Sequence, residues 1–203
     1  MNLIKPNTHI ENLEKTGLLH DKMLGRRDFM KGGLAALLAG TVPLLGAADA
    51  NAITNFASWR VNFRFYHTGE SFSGVYRVGD RYLPEAFERM NYVLRDFRTG
   101  EAFPMDPRVL DILSMLQQKI GTSKSFDILS GYRSPKTNKM LSRASSGVAR
   151  NSYHMYGQAL DIRLPGYSTR KLRNNAKSLR AGGVGYYAKS GFVHVDTGDV
   201  RSW

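Results

Sequence analysis

Seventeen uncharged residues, Gly32–Ala48, split this 203-residue chain into two stretches governed by different rules. The run is apolar, rich in Gly and Ala, and interrupted by Pro43. A paired-arginine context, Gly25-Arg26-Arg27-Asp28-Phe29-Met30-Lys31, precedes it. Two small-residue sites, Ala48-Asp49-Ala50 and Ala50-Asn51-Ala52, follow it. A charged n-region, an apolar h-region and an A-x-A-like site are the parts of an export signal. A membrane anchor is the competing reading, but the run is at the short limit for a span and carries Gly and Pro. Residues 1–50 are therefore expected to be a signal cleaved after Ala50 or Ala52, with no stable membrane insertion afterwards. The fold is expected from residues 53–203.

The Arg-Arg-x-Phe-x-Lys context and the weakly hydrophobic h-region resemble twin-arginine export signals in particular. Residues 51–203 keep 23 of the 29 basic and 12 of the 17 acidic side chains, so the positive charge belongs to the exported part. Such a domain is drawn to polyanions: nucleic acid, anionic headgroups or cell-wall polymer. Export removes nucleic acid from that set. The basic residues are scattered along the sequence, and most read as a solvated surface. The chain has no cysteine, which excludes disulfide scaffolds, thiol nucleophiles, iron–sulfur clusters and cysteine-held zinc. Any metal must be held by His, Asp or Glu.

No repeat or linker breaks the chain after Ile53, which predicts one domain of about 150 residues. Alternation over Trp59–His67 predicts a strand, and Phe72–Tyr82 a second, joined as a hairpin. Pro84 opens a helix expected to run to about Asp96. Asp106-Pro107 and Gly121 bracket a helix whose apolar face is Val109, Leu110, Leu113, Leu116 and Ile120. Further expectations are a strand at Phe126–Ser130, a helix from Pro135 to Ala144, a loop over Ser145–Ser152 and a strand at Ala159–Leu164. Ser168 caps a basic helix, and Val184–Tyr187 with Phe192–Val195 close the chain as a hairpin. The fold class is α+β, with helices packed on a mainly antiparallel sheet.

Only three histidines follow the leader: His67, His154 and His194. His154 falls on a loop, Asp161 seven residues later in a strand, and His194 in a separate strand near the C-terminus. Two imidazoles and a carboxylate on a rigid sheet supply three ligands for Zn²⁺ and leave a fourth position for water. On spacing alone, each residue also has an ordinary reading, as a satisfied histidine or as a strand-end aspartate paired with an arginine.

Ser152-x-His154-x-x-Gly157-x-Ala159-x-Asp161 resembles, without a gap, the S-x-H-x-x-G-x-A-x-D signature of D-alanyl-D-alanine peptidase-type zinc enzymes. That group includes lysostaphin-like peptidases and the hedgehog signalling domain. Phe192-Val193-His194-Val195-Asp196-x-Gly198-x-x-Arg201-x-Trp203 is similar to the C-terminal signature of one branch, the MepK-like murein endopeptidases. Ser130-Gly131-Tyr132-Arg133-Ser134-Pro135, with Asn138, resembles the group's first motif. The likeness runs from about Arg60 to Trp203, with the three motifs in order.

The resemblance implies one Zn²⁺ per chain held by His154, Asp161 and His194, with Arg133 binding a substrate carboxylate or serving as a structural ion pair. Tyr132 and Asn138 are expected to support packing and capping, and Gly157 a turn beside the metal. Some members place a His two residues before the last ligand, where this chain has Phe192; others place Glu or Asp three before, where it has Gly191. Asp196, two residues after His194, is the nearest substitute, as general base, as partner of the ligand or as hairpin structure. His67 and Glu70 are remoter candidates. The expected activity is that of a periplasmic or envelope metallopeptidase cutting D,D or L,D cross-links of peptidoglycan as a monomer. A non-hydrolytic zinc-containing wall-binding module and a D-Ala-D-Ala carboxypeptidase are the alternatives.

Overall fold

The protein is described by a computed structural model covering residues 57–145 and 147–203. The expected signal and its cleavage sites lie outside the described residues. Among those residues, no helix is long and apolar enough to cross a membrane.

Strand β1 (Ser58–Phe65) buries Val61, Phe63 and Phe65 and exposes Arg60 and Arg64, the alternation of a half-buried strand. It pairs antiparallel with β2 (Ser71–Val78), where Phe63 stacks on Phe72 with centroids 5.8 Å apart. The expected second strand is in fact two. Gly79 and Asp80 turn the chain, the Gly79 carbonyl accepts from Arg77 Nε at 2.8 Å, and a two-residue β3 (Arg81–Tyr82) folds back on β2.

Helix α1 (Pro84–Val93) stops short of Asp96 because the residues after it have other partners. The Leu94 carbonyl accepts from Tyr132 N at 2.8 Å. The Asp96 carboxylate accepts from Arg98 N at 3.0 Å and Ser134 N at 2.9 Å. Helix α2 (Pro107–Ile120) has the expected limits. The Asp106 side chain caps it by accepting from Arg108 N, Pro107 fills the first turn, and Gly121 leaves it in the left-handed region at φ 69°. Of its apolar face, Val109, Leu110, Leu113 and Leu116 are fully buried and Ile120 is half-buried against the core.

The remaining elements are β4 (Phe126–Ser130), α3 (Pro135–Ala144), β5 (Ala159–Arg163), α4 (Thr169–Leu179), β6 (Gly183–Tyr187), β7 (Phe192–Asp196) and β8 (Arg201–Ser202). The eight strands form one sheet in the order β3-β2-β1-β4-β5-β7-β6-β8. Only β1 with β4 and β6 with β8 run parallel, so the sheet is mainly antiparallel. Leu160, Ile162, Val193 and Val195 point into the core with the α2 face. Asp161, His194 and Asp196 alternate onto the opposite face of β5 and β7. Two elements were not expected: a 3-10 turn at Tyr153–Tyr156, and β8, which is too short to show any alternation.

Asp111 is the buried charge that ties α2 to the first hairpin. It accepts from Tyr76 Oη at 2.8 Å, Tyr82 Oη at 2.6 Å and Arg77 Nη1 at 3.0 Å. Asp111→Ala would leave two phenols and a guanidinium without their acceptor. The expected cost is about 3 kcal/mol in denaturant unfolding; a loss below about 1 kcal/mol would contradict this reading of the network.

Candidate metal centre

Asp161 and His194 are direct cross-strand partners on adjacent antiparallel strands, which sets their side chains on one face at close range. His154 reaches the same point from the 3-10 turn before β5. That turn ends at Gly157, at φ 65°, where an added Cβ would run into the Pro104 carbonyl. Gly131, just after β4, passes so close to α1 that a Cβ would sit 2.5 Å from the Leu94 carbonyl. Its own carbonyl accepts from His154 Nδ1 at 2.8 Å. The glycine of the Ser130–Pro135 motif therefore works through the backbone, by orienting an imidazole.

These contacts fix the protons. With Nδ1–H donated to Gly131, His154 presents a bare Nε2. His194 Nε2 lies 3.0 Å from Asp196 Oδ2 and donates there, so its Nδ1 is the bare nitrogen. The three acceptors then converge. His154 Nε2 is 3.3 Å from His194 Nδ1 and 3.3 Å from Asp161 Oδ1, and His194 Nδ1 is 2.9 Å from Asp161 Oδ1. Tetrahedral ligands with bonds of ~2.0–2.1 Å lie roughly 3.3 Å apart, so the triangle fits a zinc-sized ion with one corner free. All three residues are buried, and their ligand atoms lie within 4.8 Å of one another. Without a cation the conflict is met by a proton. Burial alone would lower His194, but hydrogen bonds to Asp161 and Asp196 push it up to about 9. Burial would raise Asp161, but the two imidazoles hold it far below the usual carboxylate range.

The family model for peptidoglycan L,D-endopeptidase MepK matches residues 55–203, a stretch that contains every described residue. The chain belongs to this family. Among its curated relatives, peptidoglycan L,D-endopeptidase MepK of Escherichia coli (strain K12) is 44% identical over 137 residues, covering 68% of this chain and 75% of the relative. The probable peptidoglycan L,D-endopeptidase MepK of Haemophilus influenzae is 42% identical over 144 residues, covering 70% and 77%. In this chain the family's matched stretch holds all three converging residues and the cleft above them.

That cleft has a volume of about 340 Å³, and Arg133, Tyr153, Tyr187, Phe192 and Trp203 stand around the three acceptors. Arg133 is buried and lies 3.6 Å from Asp161 Oδ2, so it is an ion-pair partner of the cluster as well as part of its wall. Its Nη2 donates to Ser130 Oγ at 3.1 Å and its Nη1 to Asn138 Oδ1 at 3.4 Å, while Nε has no partner. Tyr132 packs, stacking on Phe103 at 4.9 Å.

Asp196 is not placed where a base would stand. Its side chain is wholly buried behind His194, on the far side of the imidazole from the cleft. It accepts from His194 and from Gly183 N at 3.1 Å, Gly198 N at 2.9 Å, and Arg201 Nη1 and Nη2 at 3.0 and 2.7 Å. A carboxylate so occupied has no lone pair to offer a water in the cleft. The remoter candidates are elsewhere too: His67 stacks on Phe97 at 4.2 Å, and Glu70 pairs with Arg95 at 2.7 Å. Among the described residues, no carboxylate or imidazole beyond the three lines the cleft.

Two features were missed in the sequence. Arg201 is flanked by Tyr153 and Trp203, each about 5.1 Å away, and grips Asp196; the motif contained it, but nothing in the spacing announced its target. Trp203 Nε1 donates to Tyr187 Oη at 3.2 Å.

Asp96 holds the corner that starts the Arg133–Ser134 turn. Burial would raise its pKa, but hydrogen bonds from Thr137, Ser134 and Arg98 keep it below the usual carboxylate value. A carboxylate depressed on folding stabilises above its unfolded pKa of ~3.9 and loses that contribution as pH falls through the folded value. Asp96→Asn should cost about 1–3 kcal/mol at neutral pH. The gap to wild type should narrow below about pH 4; a gap independent of pH would contradict this.

Proposed function

We propose that this chain is an exported zinc metallopeptidase that hydrolyses an L,D peptide bond in peptidoglycan cross-links. The observation that carries it is the convergence of one ligand atom each from His154, Asp161 and His194 at the floor of an open cleft. The sequence motifs leave D,D and L,D cuts open; the family description and the relatives' names support L,D. The twin-arginine context supports delivery to the periplasm, with residues 1–50 as the signal and 53–203 as the working domain.

Zinc bound there supplies Lewis acidity for a scissile carbonyl and a water with a pKa lowered toward ~7. The chain's own residues do the rest. The Gly131 carbonyl and the Asp196 carboxylate each hold one imidazole N–H, so that the opposite nitrogen faces the ion. Burial would raise Asp196, but hydrogen bonds from His194, Arg201 and the Gly198 amide keep it ionised, and with Gly183 N they hold it fixed, which makes Asp196 a positioning residue. Arg133 has N–H donors left over and presents a planar fork suited to a substrate carboxylate. Tyr187 accepts the Trp203 indole N–H and stacks on Phe192 at 4.5 Å, which leaves its own O–H free to donate to a substrate oxygen in the cleft.

A second reading, a wall-binding module that holds the metal without hydrolysis, is favoured by the lack of a further carboxylate or imidazole in the cleft among the described residues. Isolated sacculi separate the two. Metal-loaded wild type should release muropeptides whose new ends report an L,D cut, and His154→Ala should reduce release to background. No product from well-metallated wild type would select the binding module, and D,D products would overturn the bond assignment. Asp196→Asn should weaken zinc affinity by ~10–100-fold in chelator competition. Unchanged affinity with lost hydrolysis would instead assign Asp196 to proton transfer.

A further inference from the structure

Helix α3 carries three cations and no acid: Lys136, Lys139 and Arg143, spaced by three and four residues so that they share one face. Arg98 stands across a depression of about 720 Å³ that all three line. Arg150 lines an adjoining depression of about 490 Å³, which shares Lys139 and Arg143 with the first. All five are exposed, and none forms an ion pair with another described residue. Arg64, Arg77, Arg95, Arg108, Arg133 and Arg201 each have a carboxylate partner, whereas other cations, those of α4 among them, have none among the described residues; what sets the five apart is that they line two adjoining depressions beside the cleft. Like charges at this helical spacing destabilise a helix slightly, so folding gains nothing from the arrangement. The buried residues of α3 are Thr137 and Asn138 alone.

The ridge is joined to the cleft. From the buried side of α3, Asn138 Nδ2 donates to the carbonyls of Ala149 at 3.1 Å and Arg150 at 2.9 Å. Ala149 and Asn151 line the cleft, while Arg150 between them lines the ridge. A ligand chain leaving the cleft across this strap meets Arg150 first, then Lys139 and Arg143. Met140, 49% exposed, offers apolar contact in the middle of the face.

We propose that the face formed by Arg98, Lys136, Lys139, Arg143 and Arg150 is a second binding surface that holds the free carboxylates of cell-wall peptide stems next to the one in the cleft. The identity of the polymer rests on the function proposed above; the cation ridge and its junction with the cleft do not. Exposed cations without internal partners suit a ligand that brings many well-spaced carboxylates, because each contact is weak and the sum gives the grip.

The test is brief co-sedimentation in the cold, at low ionic strength, with metal-loaded protein. The targets are intact sacculi, sacculi whose carboxylates have been amidated, and phosphatidylglycerol vesicles. The variants are the combined Lys136→Ala, Lys139→Ala and Arg143→Ala, and a charge-keeping Lys139→Arg with Arg143→Lys. The neutralised variant should bind intact sacculi roughly tenfold more weakly, from three exposed pairs at a factor of about two each. The charge-keeping variant should bind like wild type, and wild type on amidated sacculi should fall at least to the level of the neutralised variant on intact ones, because amidation also removes the partners of Arg98, Arg150 and Arg133. Equal binding by wild type and the neutralised variant, or indifference to amidation, overturns the proposal. So does a drop confined to vesicles, which would assign the ridge to a membrane surface. Muropeptide release by wild type is read separately. Its absence with the binding pattern intact removes the hydrolytic reading and leaves the ridge, and the reverse removes the ridge alone.

Discussion

Three hydrogen-bond acceptors with no donor between them meet at one point on the sheet, and much of the second half of the chain is arranged around that meeting. His154 Nε2, His194 Nδ1 and Asp161 Oδ1 repel one another at 2.9–3.3 Å unless a proton or a cation sits among them. A proton alone leaves a buried imidazolium between two carboxylates. A divalent ion in its place would use all three lone pairs. Holding such a cluster open needs rigid support, because a mobile imidazole would turn away. Antiparallel neighbours β5 and β7 supply two of the three acceptors in register, and the backbone of Gly131 with the Asp196–Arg201 pair locks the two rings.

The same sheet separates stability from chemistry by strand alternation. Leu160, Ile162, Val193 and Val195 face the helices and bury apolar area, while the residues between them carry charge on the opposite face. The two carboxylates on that face lose solvent and are tied to opposite partners: Asp161 to both imidazoles and Arg133, Asp196 to His194 and Arg201. Asp111, far from the cleft, follows the same rule through Arg77, while Asp96 is held by the backbone amides of Arg98 and Ser134 and fixes the turn that carries Arg133. Positive charge without such partners lies outside the packed core, on α3 and its neighbours beside the cleft and on α4 elsewhere.

Much of this was legible in the sequence because it depends on local signals. Helix α2 has a cap, a proline, a periodic apolar face and a terminal glycine, and its limits follow from them. His154, Asp161 and His194 lie in motifs that place the first on a loop and the other two on strands, and the structure brings all three together. What was not legible depends on contacts between distant segments. The α1 terminus is decided by Tyr132 and Ser134 reaching back to Leu94 and Asp96. The burial of Asp196 depends on Arg201, which arrives on a two-residue strand with no periodicity to read. The basic surface looked scattered in one dimension because Arg98 and Arg150 join α3 only in the fold.

The most direct measurement is zinc-edge X-ray absorption on the purified, folded protein, with metal content determined on the same sample. The account predicts one zinc per chain, four-coordinate, with two imidazole nitrogens and oxygen ligands at ~2.0–2.1 Å. A protein that binds no zinc, or binds it with a first shell lacking two imidazoles, would contradict it.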